Sequence, residues 1–416
     1  MRARLLGQAI GGDLLLGIGS RQKAEMLDDR GLAAFEIGKA SLDLAKRALD
    51  VREVGADREK LRQYDVSGTL DHVSFLPCVW LSQKQPARAI MKNMQLRDVL
   101  ESAQQNIGSE TMTDDVKILA TGLGFPEGPV AMPDGSVILT EIRNRRCARV
   151  TADGKVSVFS DNGGGPNGLA VGPDGALYCC NNGGSRYVEG KSMGQGPHPD
   201  YKHGSIQRLD RNTGEAKLLY TECDGHKLSA PNDLVFDTSG GFYFTDLGKR
   251  YARHRDHGGI YYARPDGSKI TCLVYPFLSP NGCGLSPDGK VLYVADTASA
   301  RLYAYDIESP GVLAKMKADF AHTGRVVGGA PAGPAGFDSL AVLANGNICV
   351  ATLTTGKITE FAPDGKIVRE VKMPDVYPTN ICFGGPDMRT AYITLSDKGQ
   401  LGVMQWPTPG LKLNYN

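Results

Sequence analysis

No apolar stretch in this chain comes near the about 20 residues needed to cross a bilayer, which excludes a helical membrane protein. The run Leu14 to Ile18 is short, follows Asp13 and stops before Arg21 without a cleavage-site pattern, so no signal peptide is expected. Excess charge of either sign is missing too. Lys and Arg number 47 against 46 Asp and Glu, a net charge of +1 that gives no field to attract nucleic acid or an acidic membrane. Paired cysteines are absent: the nine, at 78, 147, 179, 180, 223, 272, 283, 349 and 382, form no C-x-x-C and are odd in number. A secreted disulfide framework is thereby disfavoured, and reduced thiols in a cytoplasmic protein are expected. There is no H-E-x-x-H and no cysteine-histidine spacing suited to zinc.

The chain does have a repeat. Pro231 to Asp246 reads as one polar residue, Asn232, opening a short apolar strand (Leu234, Val235, Phe236), then a glycine turn, then an aromatic strand. Pro166-Asn167-Gly168 and Pro280-Asn281-Gly282 open matching units through Pro173-Asp174-Gly175 and Pro287-Asp288-Gly289, and weaker copies start at Glu127, Asp338 and Asn380. The openers 127, 167, 232, 281, 338 and 380 are separated by 40, 65, 49, 57 and 42 residues. This is repeat spacing with insertions, and each unit is too small to bury a core of its own. Six such units of short strands predict an all-β fold, a six-bladed β-propeller. In a propeller the first strand of each blade lines the central channel. The openers Glu127, Asn167, Asn232, Asn281, Asp338 and Asn380 therefore converge on one mouth as a ring of oxygen-bearing groups. For any single copy a plain turn reading competes, since Pro-Asn and Asn-Gly are common turn dipeptides; recurrence in phase favours the ring. Hard oxygen ligands suit one divalent cation, calcium before zinc, manganese or magnesium.

Residues 1–112 differ in character. Leu32 to Leu49 has the period of an amphipathic helix and Leu96 to Gln105 that of a second. Gly17-Ile18-Gly19, this helix and Leu70-Asp71-His72-Val73-Ser74-Phe75-Leu76-Pro77 resemble the small N-terminal domain of the fumarylacetoacetate hydrolase family. The chain leaves that pattern before the family's catalytic domain, so its metal carboxylates are absent. A small, non-catalytic α+β accessory domain is expected at 1–112, His72 being structural, with the propeller at 113–416. Val116 to Ala120 should be the outermost strand of the last blade, closing the ring. The tail after Trp406, carrying Pro407 and Pro409, is expected along the outside.

Two motif matches fail on context. Gly163-Gly164-Gly165-Pro166-Asn167-Gly168 fits G-x-G-x-x-G, but Pro166 and the strand after it forbid the helix that would hold a pyrophosphate. Gly190-Lys191-Ser192-Met193-Gly194 fits G-x-S-x-G, but Gln195-Gly196-Pro197 follows where a helix must begin.

Four ordered motifs, Phe125-Pro126-Glu127-Gly128-Pro129-Val130, Ser229-Ala230-Pro231-Asn232-Asp233-Leu234, Pro280-Asn281-Gly282 and Gly336-Phe337-Asp338-Ser339-Leu340, resemble the senescence marker protein / gluconolactonase / luciferin-regenerating enzyme family. The resemblance runs from Val116 to the C-terminus. It implies a metal-dependent lactonase, with Glu127, Asn281 and Asp338 as metal ligands and Asn232 as a fourth ligand or a substrate contact; Asn167 and Asn380 would support the ligands from behind or be structural. Ser339 stands where the family usually has glycine, and Ala230 replaces an arginine carried by some sugar-lactone members. A cation held by two carboxylates and neutral amides keeps charge to polarise a lactone carbonyl while water attacks. Asp338 is the catalytic candidate beside Asn232, as general base or as nucleophile.

If first strands start at this mouth, the loops joining second to third strands overhang it. These loops carry Tyr187, His198, Tyr201 and His203 in the second blade and Arg250, Tyr251, Arg253, His254, Arg255 and His257 in the third. Arg250, Tyr251, Arg253, His254, His203 and Tyr187 are read as substrate-binding residues of a cationic, aromatic lid; solvated surface loops are the competing reading. The expected partner is a small-molecule lactone. The alternatives are a phosphotriesterase or aryl esterase using the same ion, or a non-catalytic binding platform.

Overall fold

Each recurring unit folds as an antiparallel meander of four strands, with a short extra strand, Val312–Leu313, added in the fourth, in the computed structural model, which describes residues 116–315, 324–330 and 334–416 and four two-residue strands before them. The chain divides into two compact units, Met1–Gly108 and Ser109–Asn416. In the first, Ala9–Ile10 pairs with Asp13–Leu14 and Thr69–Leu70 with Val73–Ser74. The expected helices, His72 and the hydrolase-like resemblance lie outside the described residues.

Among the described residues every regular element is a strand. The innermost strands of blades I to VI are Pro126–Ala131, Pro166–Val171, Pro231–Phe236, Pro280–Leu285, Gly336–Val342 and Pro378–Gly384. Each packs on the innermost strands of both neighbours, and blade VI meets blade I, so the ring closes. Closure is covalently staggered, as the sequence predicts: Lys117–Ala120 is the fourth strand of blade VI, pairing with Gln400–Gln405. Blade VI is thereby completed to four strands, its outer edge being the short strand Lys117–Ala120.

The core is divided into six hydrophobic clusters, one per interface between adjacent blades. Between blades II and III, for example, Tyr178 meets Phe236 edge-on at 5.0 Å between ring centres, with Phe242 and Phe244 behind them. A blade has two apolar faces and no core without neighbours, which is why the unit must repeat. The Pro-Asp-Gly turns work as read: Asp174 accepts from the Ala176 N–H at 3.1 Å, and Gly175 takes φ +74°, open to glycine without strain.

The tail departs from expectation. It does not run along the outside of the blades. After Trp406 it crosses the far end of the channel: the N–H groups of Gly410 and Leu411 donate to Met388 O and Val342 O, Asn414 Nδ2 donates to Phe236 O, and Tyr415 packs edge-on against Phe236. Pro407 and Pro409 remove two donors and end strand pairing, but the direction of the tail is set by free carbonyls at the ends of the innermost strands.

Candidate active site

Each innermost strand has a register irregularity at or beside its opener, at Glu127/Val130, Pro166/Leu169, Pro231/Leu234, Pro280/Cys283, Phe337/Leu340 and Pro378/Asn380. A bulge re-aims side chains and frees backbone from the ladder. It leaves the six openers buried at one mouth of the channel, between 3% and 6% exposed. Glycine follows the opener in blades I, II and IV because the strands nearly touch there. A Cβ on Gly128 would lie 2.2 Å from Asn167 O, one on Gly168 2.6 Å from Asn232 O, and one on Gly282 2.5 Å from Ser339 Cα.

Second strands hold this mouth in place. Their last residues accept hydrogen bonds from the segment leading into the opener: Glu141 Oε1 from Gly124 N (2.7 Å), Asn181 Oδ1 from Gly165 N (2.8 Å), Asp246 Oδ1 from Ala230 N (2.7 Å) and Asp296 Oδ1 from Ser279 Oγ (2.6 Å). Hydroxyls then tie one blade to the next: Thr140 donates to Asn167 O, Thr245 to Asn281 O and Ser396 to Pro126 O.

Within the ring, Glu127 Oε2 accepts from Gly128 N and from Asn380 Nδ2, each at 3.2 Å. Asn281 gives its amide N–H to Thr297 Oγ1 at 3.0 Å, leaving its carbonyl toward Ser339 Oγ at 3.4 Å. The Oδ1 atoms of Asn232 and Asn167 are buried without a hydrogen-bond partner, an expensive condition in a folded protein. Burial, then the charge of Asp338, pushes Glu127 well above the usual carboxylate range. Asp338 is pushed up to about 7 by burial, with Asp233 adding repulsion against its hydrogen bond to Asn281.

Asp233 is the residue that pattern reading missed. It is buried, accepts from the N–H groups of Leu234 and Cys283 and from the Ser339 hydroxyl, and is pushed up to about 7 by burial. The signal was available, since the residue after the opener is glycine in three blades and Asp233 and Ser339 in blades III and V. The mouth thus gathers three mutually repelling carboxylates, Glu127, Asp233 and Asp338, and among the described residues no cation is paired with them. No group of three or more His, Cys, Asp or Glu among the described residues has the arrangement of a metal cluster, so a cation here would draw on asparagine carbonyls as well. The orphaned Asn232 Oδ1 and the repelling acids fit that role.

The lid residues separate into two groups. Tyr187 reaches the ring: it packs on Phe125 at 5.9 Å, lies under the Arg143 guanidinium at 4.6 Å, and its hydroxyl is pushed up by burial, with Glu127 contributing. Its loop is fastened across three other blades, by Arg143 to the carbonyls of Lys191 and Ser192, by Ser192 to Asp397 and by Arg250 to Gly194 O. The others stay on the rim. Tyr251 and His254 stack on each other at 4.3 Å, His203 Nδ1 contacts Gly204 O, and Arg253 is exposed. Lys249, next to Arg250, is an unforeseen buried cation, donating to Asn182 O at 2.6 Å over the Tyr201 ring.

Six blades around a channel whose one mouth is a ring of buried acids and amides define a propeller with an oxygen-donor centre. The family model described as SMP-30/Gluconolactonase/LRE-like region matches residues 125–397, and the chain belongs to that family. It is similar to a gluconolactonase of Zymomonas mobilis subsp. mobilis (26% identical over 310 residues, 68% of this chain and 79% of the relative). A lactonase drp35 of Staphylococcus haemolyticus is 28% identical over 278 residues, 66% of this chain and 77% of the relative. Among solved structures, regucalcin from Agrobacterium tumefaciens, described as a calcium-binding protein, shares the fold with a TM-score of 0.58 at 19% identity, covering 72% of this chain and 97% of its own.

Proposed function

We propose that this chain is a lactonase that opens a cyclic ester at the ring mouth, with Glu127, Asn232, Asn281 and Asp338 holding one divalent cation, calcium by preference. The observation that carries this reading is Asn232 Oδ1, buried without a protein partner among acids that burial and mutual repulsion hold toward the protonated state. Such a site is unfinished as protein alone, and hard oxygen donors select a hard cation. When bound, the cation supplies positive charge for the carbonyl oxygen of the substrate.

The chain's own groups do the rest. Asp338 accepts a proton from the attacking water and returns it to the ring oxygen as the acyl–oxygen bond breaks, giving the hydroxy acid. Asp233, fixed by two N–H groups and the Ser339 hydroxyl, sets the field in which Asp338 exchanges that proton. Tyr187 and its fastened loop screen the mouth from water, and Arg250, Tyr251, Arg253, His254 and His203 face the approaching substrate from the rim. Residues 113–416 form the catalytic unit, with 1–112 accessory.

The test is a panel of small lactones, followed by acid release, on chelator-stripped protein with calcium, magnesium, manganese or zinc restored. Turnover should require a cation and fall by about 10²–10⁴-fold in Asp338→Asn. Stoichiometric cation binding with no lactone turned over would refute the assignment and favour phosphotriesters or a binding platform.

A further inference from the structure

Beyond the ring, the same six strands enclose a second space. A cavity of about 390 Å³ runs from Gly128, Asp233 and Asn380 at its upper end to the tail residues Leu411, Lys412, Leu413, Asn414 and Asn416 at the lower. This falls within the range of small-molecule pockets. Its wall between these ends is apolar, built from residues such as Leu169, Leu234, Leu285, Leu340 and Phe383. Two wall residues mark it as a space and not a packing seam. Ala341 and Cys382 lie inside the innermost strands of blades V and VI, yet keep accessible surface between buried neighbours. Cys382 nevertheless has its thiol pushed up to about 12 by burial, as expected of a side chain facing an enclosed chamber.

The chamber reaches the surface at the rim between blades III and IV, where its lining residues Thr238, Gly289, Lys290, Ser309 and Pro310 are exposed. The rest of the lower end is floored by the tail, held by its hydrogen bonds to Val342 and Phe236, with Leu413 46% exposed. Charged lining residues sit at the two ends: Asp233 above, and below it Asp237, Asp288, Lys290 and Glu308 toward the rim with Lys412 on the tail, both signs together. Neither an anion nor a cation therefore gains a matched partner inside. Water in the apolar middle would lack hydrogen-bond partners, and an empty space forfeits dispersion contacts.

We propose that this chamber is a binding site for a small, uncharged, mainly apolar molecule with one polar end, of the class of medium-chain alcohols, which enters at the rim between blades III and IV and rests on the tail. It lies on the far side of the ring from the lid and does not depend on the catalytic reading.

The experiment titrates full-length protein with 1-octanol, using thermal unfolding and calorimetry, beside octanoate and octylamine as charged counterparts. Saturable binding of one octanol per chain with a rise in Tm is expected, and binding at least about tenfold weaker for both charged probes, which leave hydration behind on burial. Ala341→Phe, which grows a ring into the chamber, should abolish the octanol response. A second readout stays in the wild-type protein: ethylmercury modification of Cys382, mapped by peptide mass spectrometry, should be slowed by octanol. The proposal is overturned by non-saturable or absent octanol binding, by equal binding of a charged probe, by an unchanged response in a folded Ala341→Phe variant, or by modification of Cys382 that octanol does not affect.

Discussion

The two ends of the channel are made from the same six strands and have opposite chemistry. At the ring end, acids and amides are buried with too few partners, and Asp233 and Asp338 are both pushed up to about 7. A few residues further along each strand, past the bulge, the wall becomes Val, Leu, Ile and Phe and feeds the six interblade clusters. The ring end costs stability and the apolar end supplies it. The bulge lets one short strand do both, because it breaks the two-residue alternation between opener and wall.

The sharpest way to break this comparison is one substitution at each end. Asp338→Asn removes a buried, repelled carboxylate. It should raise the stability of chelator-treated protein by about 1 kcal/mol while abolishing most hydrolysis, as active-site residues that cost stability do. Val342→Ala, at the apolar end, should lose about 1–3 kcal/mol in denaturant unfolding and leave the rate constants within about twofold. Loss of stability in the first variant, or of catalysis alone in the second, would mean that the two ends are not divided in this way.

Proton linkage sharpens the ring end without relying on turnover. Asp233 and Asp338, both pushed up to about 7, hold protons near neutral pH in the metal-free protein, and Glu127 is raised in the same direction, whereas a bound cation requires ionised carboxylates. Adding calcium to chelator-stripped protein in weak buffer near pH 6.5, about the lower edge of that range, should release protons. The release should shrink in Asp338→Asn, and shrink in wild type as pH rises through and beyond about 7, where Asp233 and Asp338 ionise without the cation. Binding of calcium with no proton released at pH 6.5 would show that these acids are not the ligands.

Much of this division was legible in the sequence. The openers Glu127, Asn167, Asn232, Asn281, Asp338 and Asn380 recur in phase, and a propeller turns a phase in sequence into a meeting point in space. Asp233 escapes that pattern because the pattern marks only the opener, whereas in blades III and V the bulge brings the next residue, Asp233 or Ser339, to the mouth as well. The place of the tail was not readable: Pro407 and Pro409 say where pairing stops, and only the folded channel offers Val342 O and Phe236 O as acceptors. The split between Tyr187 and the rim residues was equally hidden, since it depends on Arg143, a residue of another blade that lies outside both lid loops.

Lys249 tests the cost of polarity at the ring end in a group that is no candidate ligand. It is 5% exposed, and burial lowers it from 10.5 to about 8 against the opposing pull of Asp246 and Asp256. Below pH 8 the side chain is charged in both folded and unfolded protein, and the folded state bears the full desolvation cost. Between 8 and 10.5 the folded protein gives up its proton while the unfolded chain keeps it, so rising pH favours folding across that window. The gain is at most roughly 3.5 kcal/mol, one pKa unit being worth about 1.4. Tyrosines and cysteines titrate in the same range and act in the opposite sense, so the measurement is a difference between wild type and Lys249→Met, in which those contributions cancel. From pH 8 to 10 the difference should move in favour of wild type. A flat difference would mean that Lys249 stays charged at no cost, through Asn182 O and Tyr201; movement the other way would mean that Asp246 and Asp256 outweigh its burial.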